Sequence, residues 1–259
     1  MITFSVITCT YNASSVLKRT LNSVLRQSYQ NVEHIILDGA SHDETATLIN
    51  EYITKSDNSH NSRHSIVFTS EPDKGLYDAM NKGIDKATGH YLVFLNAGDV
   101  FPSSSTLETI ANMVGDGEEL PGVLYGNTDI VDDNGNFLRH RRLSPPSHLN
   151  WRSFLHGMLV CHQAFYARTD IAKRNSYDLN YKLSADIDWC IRIMKDAKRS
   201  NLSLRYINAV VVNYLDGGMS IQNHKASLRE RYHIMCKHYG FIPTIFMHAW
   251  FVIRGVLQK

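Results

Sequence analysis

Four short apolar runs of β-favouring composition punctuate the first hundred residues: Phe4–Thr10, Val32–Leu37, Ile66–Thr69 and Tyr91–Leu95. The last of these, unbroken from Tyr91 to Leu95, reads as a strand buried on both faces, as a parallel sheet requires. Helical-period segments separate them. Val16, Leu17, Leu21, Val24 and Leu25 form one stripe, with Asn12 or Ser14 as its cap. Leu48, Ile49, Tyr52 and Ile53 form a second, opened by a Ser41–Glu44 capping box. A third helix, Leu76–Ala87, turns Met80, Ile84 and Ala87 inward and stops at Gly89. Three rounds of strand, turn and helix predict a parallel sheet with right-handed crossovers.

The second half has a different pattern. Gly122–Val131 and Phe137–Arg141 flank Asp133, Asn134, Gly135 and Asn136, a hairpin signal. Trp151–Met158 reads as a short helix, and Leu159–Ala167 as a strand holding His162 and Gln163. A helix led by Asp186 and Asp188 follows, with Ile187, Cys190, Ile191 and Met194 on one side. Leu204–Leu215 is a long strand, closed by a loop at Gly217 and Gly218. His224–Tyr239 is an amphipathic helix (Leu228, Tyr232, Met235, Cys236, Tyr239) stopped by Gly240, and Phe241–Leu257 is rich in Phe, Trp and Ile. The partition expected is one α/β body over residues 1–220, in halves 1–100 and 101–220, with a tail at 221–259.

Composition changes this picture in two places. The net charge of +2 over 259 residues gives no reason to expect a nucleic-acid partner. The charge is uneven, however: from His224 onward six Lys/Arg face only Glu230, a local +5. A basic, aromatic tail on an acidic body suits an anionic membrane surface, with packing on the body or a dimer contact as the alternatives. The four cysteines form no C-x-x-C, there is no secretory signal, and no stretch reaches about 18 apolar residues. The expectation is a cytoplasmic chain, peripheral on the inner face of the plasma membrane.

The candidate chemistry lies in the turns. Asp38, Asp73 and Asp99 follow the second, third and fourth strands, so a parallel sheet brings them to one rim. Clustered carboxylates favour a bound cation or a hydroxyl-rich ligand. Asp99, beside Gly98, suits a divalent cation carrying phosphates, or else it caps the helix near Ser105. Neither G-x-G-x-x-G nor a Walker loop is present, so phosphates would be held through metal. Asp186 and Asp188 lie in a first helical turn, where the dipole favours a carboxylate and capping is the alternative role. His60 and His64, four apart in a polar segment, read as a solvated loop, and Arg139–Arg142 as a solvated strand edge or a phosphate clamp.

Five elements in order carry a resemblance: Val6–Asn12, Asp38–Asp43, Glu71–Gly83, Phe94–Asp99 and Ser184–Asp188. Over about Thr3–Ser220 the chain resembles the family 2 glycosyltransferases of the GT-A fold, of the type that assembles bacterial surface polysaccharides. The resemblance implies a Rossmann-like, mostly parallel sheet flanked by helices, here with a C-terminal helical appendage. It implies inverting transfer of a sugar from a nucleotide diphosphate donor, a UDP-sugar by preference, to a glycan or polyprenyl-diphosphate-linked acceptor. By that likeness Thr10, Tyr11, Asn12 and Asp38 hold the nucleotide. Asp73, Lys74, Gly75, Asp78 and Asn81 border the nucleotide and donor sugar. Asn96 and Asp99 lie in the Mn²⁺ or Mg²⁺ motif, and Asp186 is the general base. Asp188, His162, Gly217 and Gly218 fall on the acceptor side. Asn96 stands where the metal motif usually begins with Asp, Gly98 where a second Asp is common, and Ala185 where an acid often precedes the base.

The chemistry needs these residue types. The departing diphosphate needs its charge offset, and the acceptor hydroxyl needs a carboxylate to take its proton on the opposite face. A sugar nucleotidyltransferase would carry a Gly-rich basic loop at the first turn, and Ile7–Asn12 has no Gly, Lys or Arg. A non-catalytic nucleotide-sugar-binding protein, the other alternative, fits poorly with Asp38, Asp99 and Asp186 all being present.

Overall fold

A computed structural model describes residues 1–58, 64–114, 119–217 and 223–257. The first half follows the expected alternation: β1 (Phe4–Thr10), α1 (Ser14–Leu25), β2 (Val32–Asp38), α2 (Thr45–Asp57), β3 (Ser65–Ser70), α3 (Leu76–Lys86) and β4 (Tyr91–Phe94). β1 pairs in parallel with β2 and β4, and β2 with β3, so four strands end on one rim. Side chains alternate across the sheet. Ile35 and Leu37 join the main core with Met80 and Ile84 of α3, while Ile36 meets Leu17, Leu21, Ile49 and Tyr52 of α1 and α2.

The second half supplies α4 (Thr106–Val114), β5 (Val123–Val131), β6 (Phe137–His140), β7 (Phe165–Arg168), α5 (Thr169–Lys173), α6 (Ala185–Arg199), β8 (Leu204–Leu215), α7 (His224–Tyr239) and α8 (Phe241–Leu257). The strand order is β3-β2-β1-β4-β7-β5-β6, with β8 pairing β5. Here the parallel pattern breaks: β7 runs antiparallel to β4 and β5, and β6 antiparallel to β5, whereas β8 is parallel to β5. The β5–β6 hairpin turns at Gly135 (φ +86°), where the Asp132 carboxylate accepts from the backbone of Asn134 and Asn136.

Several local expectations are corrected. Neither Asn12 nor Ser14 caps α1 with its side chain. Asn12 has φ +46° and its Oδ1 accepts from His42 N, while Asp43 takes the Ser14 N–H and Thr45 that of Ala13. No Ser41–Glu44 box forms, because the Ser41 hydroxyl is committed to Asp38. Gly89 is not a left-handed stop. A Cβ there would meet Ser5 N at 2.8 Å, and its own N–H donates to Ser5 Oγ, so its smallness lets the chain pass β1. Leu159–Ala167 is not all strand: a 3-10 turn at His162–Ala164 precedes β7. The buried side of α7 is Ser227, Ile234 and Met235, while Leu228 is exposed. His64 is buried against Tyr29 O rather than solvated, and His60 lies outside the described residues. Arg141 is no phosphate clamp; it donates to the carbonyls of Leu143, Met158 and Leu159.

Candidate active site

The parallel rim brings together Thr10, Asp38, Ser70 and the turn after β4. Asp38 is buried. Its Oδ2 accepts from Ser70 Oγ at 2.6 Å and Ser41 N at 3.1 Å, and its Oδ1 from the Ser41 hydroxyl. Beside it the Tyr11 ring stands exposed, and Gly39 leaves a narrow space: a Cβ there would lie 2.7 Å from Asp73 Oδ2 and 3.3 Å from the Tyr11 ring. Thr10 Oγ1 is buried with no hydrogen-bond partner. Asp73 accepts from Gly75 N, where φ is +111°, and Asp78 from Lys74 N, so the Lys74–Gly75 turn is braced from both sides. Asn81 differs from the others. Its amide is committed at both ends to the Tyr177 backbone, at 3.1 and 2.6 Å, tying α3 to the second half.

The turn after β4 is gripped by the His162–Ala164 turn. Asp99 is buried and does not cap α4. Its Oδ1 accepts from Leu215 N and its Oδ2 from Gln163 Nε2, both at 3.0 Å. Burial raises its pKa to about 6 against the opposing pull of those two hydrogen bonds. Asn96 Nδ2 lies 3.4 Å from His162 Nε2, and Asn96 Oδ1 is buried without a partner. Gly98 has φ +99°, which the commoner Asp would adopt only under strain, and a Cβ there would also displace the Leu215 Cδ2 methyl, 2.6 Å away.

As a cation site this turn offers the orphaned Asn96 oxygen and the remaining lone pairs of Asp99. No cluster of three His, Cys, Asp or Glu suited to a metal occurs among the described residues. An ion held there would have to take most of its ligands from phosphates and water.

Asp186, in the first turn of α6, faces this turn across His162. Its Oδ2 lies 3.4 Å from His162 Nδ1, and its Oδ1 accepts from Tyr77 OH, also at 3.4 Å. These are long contacts, as catalytic hydrogen bonds often are before substrate binds. Burial works to raise the Asp186 pKa. The His162 hydrogen bond and the attraction of His162 and Arg231 outweigh it, and the carboxyl sits below its usual range. Behind it Tyr77, Tyr177 and Trp189 form a stacked column, with centroids 5.2 and 5.0 Å apart. Asp188 does not cap α6. Fully buried, it accepts from Arg192 Nε at 2.6 Å, Lys237 Nζ at 3.0 Å and His238 Nε2 at 2.8 Å. Gly217 is described with φ +92°, and Gly218 lies outside the described residues.

Sequence reasoning gave no role to Gln163 or Glu230, and placed Tyr77 only within the Lys74–Asn81 stretch bordering the donor. Gln163 was within reach, because it adjoins His162 and the two grip opposite ends of one turn. Glu230 carried no signal beyond being the lone acid in a basic segment.

Comparisons with known proteins bear on the family and the fold. The family model described as glycosyl transferase family 2 matches residues 5–174. A "PGL/p-HBAD biosynthesis glycosyltransferase" of Mycobacterium bovis is 34% identical over 219 residues, 84% of this chain and 78% of the relative. The "Amylovoran biosynthesis glycosyltransferase AmsB" of Erwinia amylovora is 32% identical over 203 residues, 75% of this chain and 64% of the relative. Among solved structures, S. aureus TarS 1-349 in complex with UDP-GlcNAc superposes with a TM-score of 0.68 at 17% identity, over 90% of this chain and 64% of that one. The mannosyltransferase PcManGT of Pyrobaculum calidifontis, in complex with GDP-Man and Mn2+, gives 0.60 at 16%, over 96% and 68%. With a GT-A sheet, an acidic rim and a family match across two thirds of its length, this chain belongs to glycosyl transferase family 2.

Proposed function

We propose that the chain transfers a sugar from a nucleoside diphosphate donor to an acceptor hydroxyl with inversion, Asp186 acting as general base. The observation that carries this reading is the Asp186 carboxylate, held ionised between His162 and Tyr77 and one histidine ring away from Asn96. An ionised carboxylate can take the acceptor's proton as the new bond forms, a contribution of about 10²–10⁴ in rate.

The donor is a UDP-sugar. Tyr11, Gly39 and Asp73 meet at the rim where a base and ribose would lie, with Thr10, Asn12 and Asp38 behind them and Lys74, Gly75 and Asp78 along the edge. Asn81, committed to Tyr177, drops out of the donor set. Asn96 and Asp99 would hold Mn²⁺ or Mg²⁺, which when bound offsets the charge of the leaving diphosphate. The acceptor is a glycan or a polyprenyl-diphosphate-linked sugar, met at an anionic membrane surface by α8. Support for that surface comes from the exposed Phe241, Phe246 and Trp250 and the absence of any acidic residue in Phe241–Leu257.

Asp186→Asn keeps the shape and removes the proton acceptor. It is expected to lower kcat by about 10²-fold or more while UDP, titrated calorimetrically with Mn²⁺, binds as to the parent. The product's anomeric configuration, read by NMR, is expected opposite to that of the donor. Retained configuration, or a near-normal rate for Asp186→Asn, removes Asp186 from this role.

A further inference from the structure

The residues that hold the base in place come largely from the tail. Three consecutive backbone N–H groups, those of Lys182, Leu183 and Ser184, donate to the Glu230 carboxylate at 2.8, 2.9 and 2.9 Å. They belong to the segment leading into α6. The N-cap residue of that helix, Ser184, makes no cap of its own, because its hydroxyl turns to Ser227 O and Oγ at 3.3 and 3.0 Å. Glu230 of α7 thus satisfies three donors of the segment that leads into the helix, the N-cap N–H of Ser184 among them.

One turn along α6, Asp188 is bound by Lys237 and His238 of the same α7, and His238 Nδ1 is met in turn by Lys195 Nζ at 2.9 Å. Asp186 lies between these two attachments. Arg231, adjacent to Glu230, is one of the groups attracting the Asp186 carboxylate, and its buried Nε has no hydrogen-bond partner.

We propose that Glu230 is a positioning residue for Asp186, and hence that α7 is part of the catalytic apparatus rather than an appendage. The proposal rests on Asp186 being the base. Physically, the first turn of α6 can hold Asp186 at a fixed height above the Tyr77–Tyr177–Trp189 column only if the segment before it is fixed. Glu230 supplies a charge-assisted acceptor to each of its last three amides. Without it those amides turn to water, the first turn frays, and the carboxylate loses its alignment with the acceptor hydroxyl. A misplacement of about 1 Å can cost on the order of 10² in rate.

The test uses the full chain. Glu230→Gln presents an NH₂ group to one or more of those donors and is expected to lower kcat by about 10- to 100-fold. UDP affinity should stay within about 2-fold of the parent, because the nucleotide rim belongs to β1–β4. Glu230→Asp keeps the charge one methylene shorter and is expected to recover part of the loss. It also takes over the whole comparison if the Gln variant does not fold. Adding Glu230→Gln to Asp186→Asn is expected to cost nothing further, since a residue acting through the base has nothing left to position. Amide exchange over residues 182–187 is expected to quicken in Glu230→Gln while β1–β4 stays protected. A parental kcat in Glu230→Gln, or a loss that multiplies with that of Asp186→Asn, overturns the proposal and leaves Asp186 as the base. A parental rate in Asp186→Asn overturns the base assignment, and this proposal with it.

Discussion

At the scale of single residues, the strongest constraints lie beneath the site. The Thr8 hydroxyl gives its one proton to Leu95 O at 2.8 Å, so the His34 Nε2 that lies 3.0 Å away must be the donor there. That tautomer leaves His34 Nδ1 to accept from Tyr52 OH at 2.7 Å. The chain of bonds fixes Leu95, the residue between β4 and Asn96. His34 is fully buried, and burial, with His64 nearby, lowers its pKa to about 3. In the unfolded chain a histidine titrates near about 6.5. Below that pH the unfolded state takes up a proton that the folded state refuses, so stability falls as pH drops, by up to about 1.4 kcal/mol per unit. Urea unfolding at pH 7, 6 and 5 is expected to show this slope, and His34→Gln to flatten it. Some slope will remain, because burial lowers the His64 pKa as well. The patterning of β2 marks a strand through His34 but not what the ring bonds. Thr8, Tyr52 and Leu95 lie on three other elements or their ends, and only packing brings them together.

Among the elements, α6 shows why a motif's residues need not share a role. Asp186 and Asp188 are two apart and so point in different directions, which the sequence alone makes plain. Which neighbours await each is another matter. Burial works to raise the Asp188 pKa, but His238, Arg192 and Lys237 hold its carboxyl well below the usual range. Its stabilising contribution is therefore present above the unfolded value of about 3.9 and is lost as pH falls through the folded one. Asp188→Asn removes the charge that Arg192, Lys237 and His238 share. It is expected to cost about 1–3 kcal/mol, read as a lower urea midpoint, with UDP affinity unchanged in the fraction that remains folded. An Asp188→Asn protein of parental stability would mean that α7 is held by other contacts, such as the Tyr239–Trp151 stack at 5.7 Å.

At the scale of the whole molecule, α7 and α8 part company. α7 is bonded to the body along its length, ending with Tyr239 OH on Trp151 O at 2.6 Å. After Gly240 (φ +90°), α8 leaves Phe241, Ile242, Ile245, Phe246, Trp250 and Ile253 exposed. No described helix is long and apolar enough to cross a membrane. At 17 residues α8 spans about 25 Å, a length suited to lying in an interface. Deleting residues 241–259 is expected to abolish sedimentation with phosphatidylglycerol vesicles at low salt while sparing transfer to a soluble acceptor. A parent that ignores such vesicles, or self-associates through this face instead, excludes the membrane as its partner.

The sequence by itself determined the parallel first half, the hairpin, the acidic rim and the family. Each is written in local signals: apolar runs of strand length, Asn134-Gly135, and carboxylates placed just after strands. The antiparallel insertion of β7, the grip of His162 and Gln163 on the turn at Asn96–Asp99, and the role of Glu230 were decided only by tertiary structure. These contacts join residues 46 to 77 positions apart, and no local propensity encodes which distant partner a buried polar group will find. The cost of leaving such a group unpaired selects that partner, and it acts only once the chain has collapsed around it.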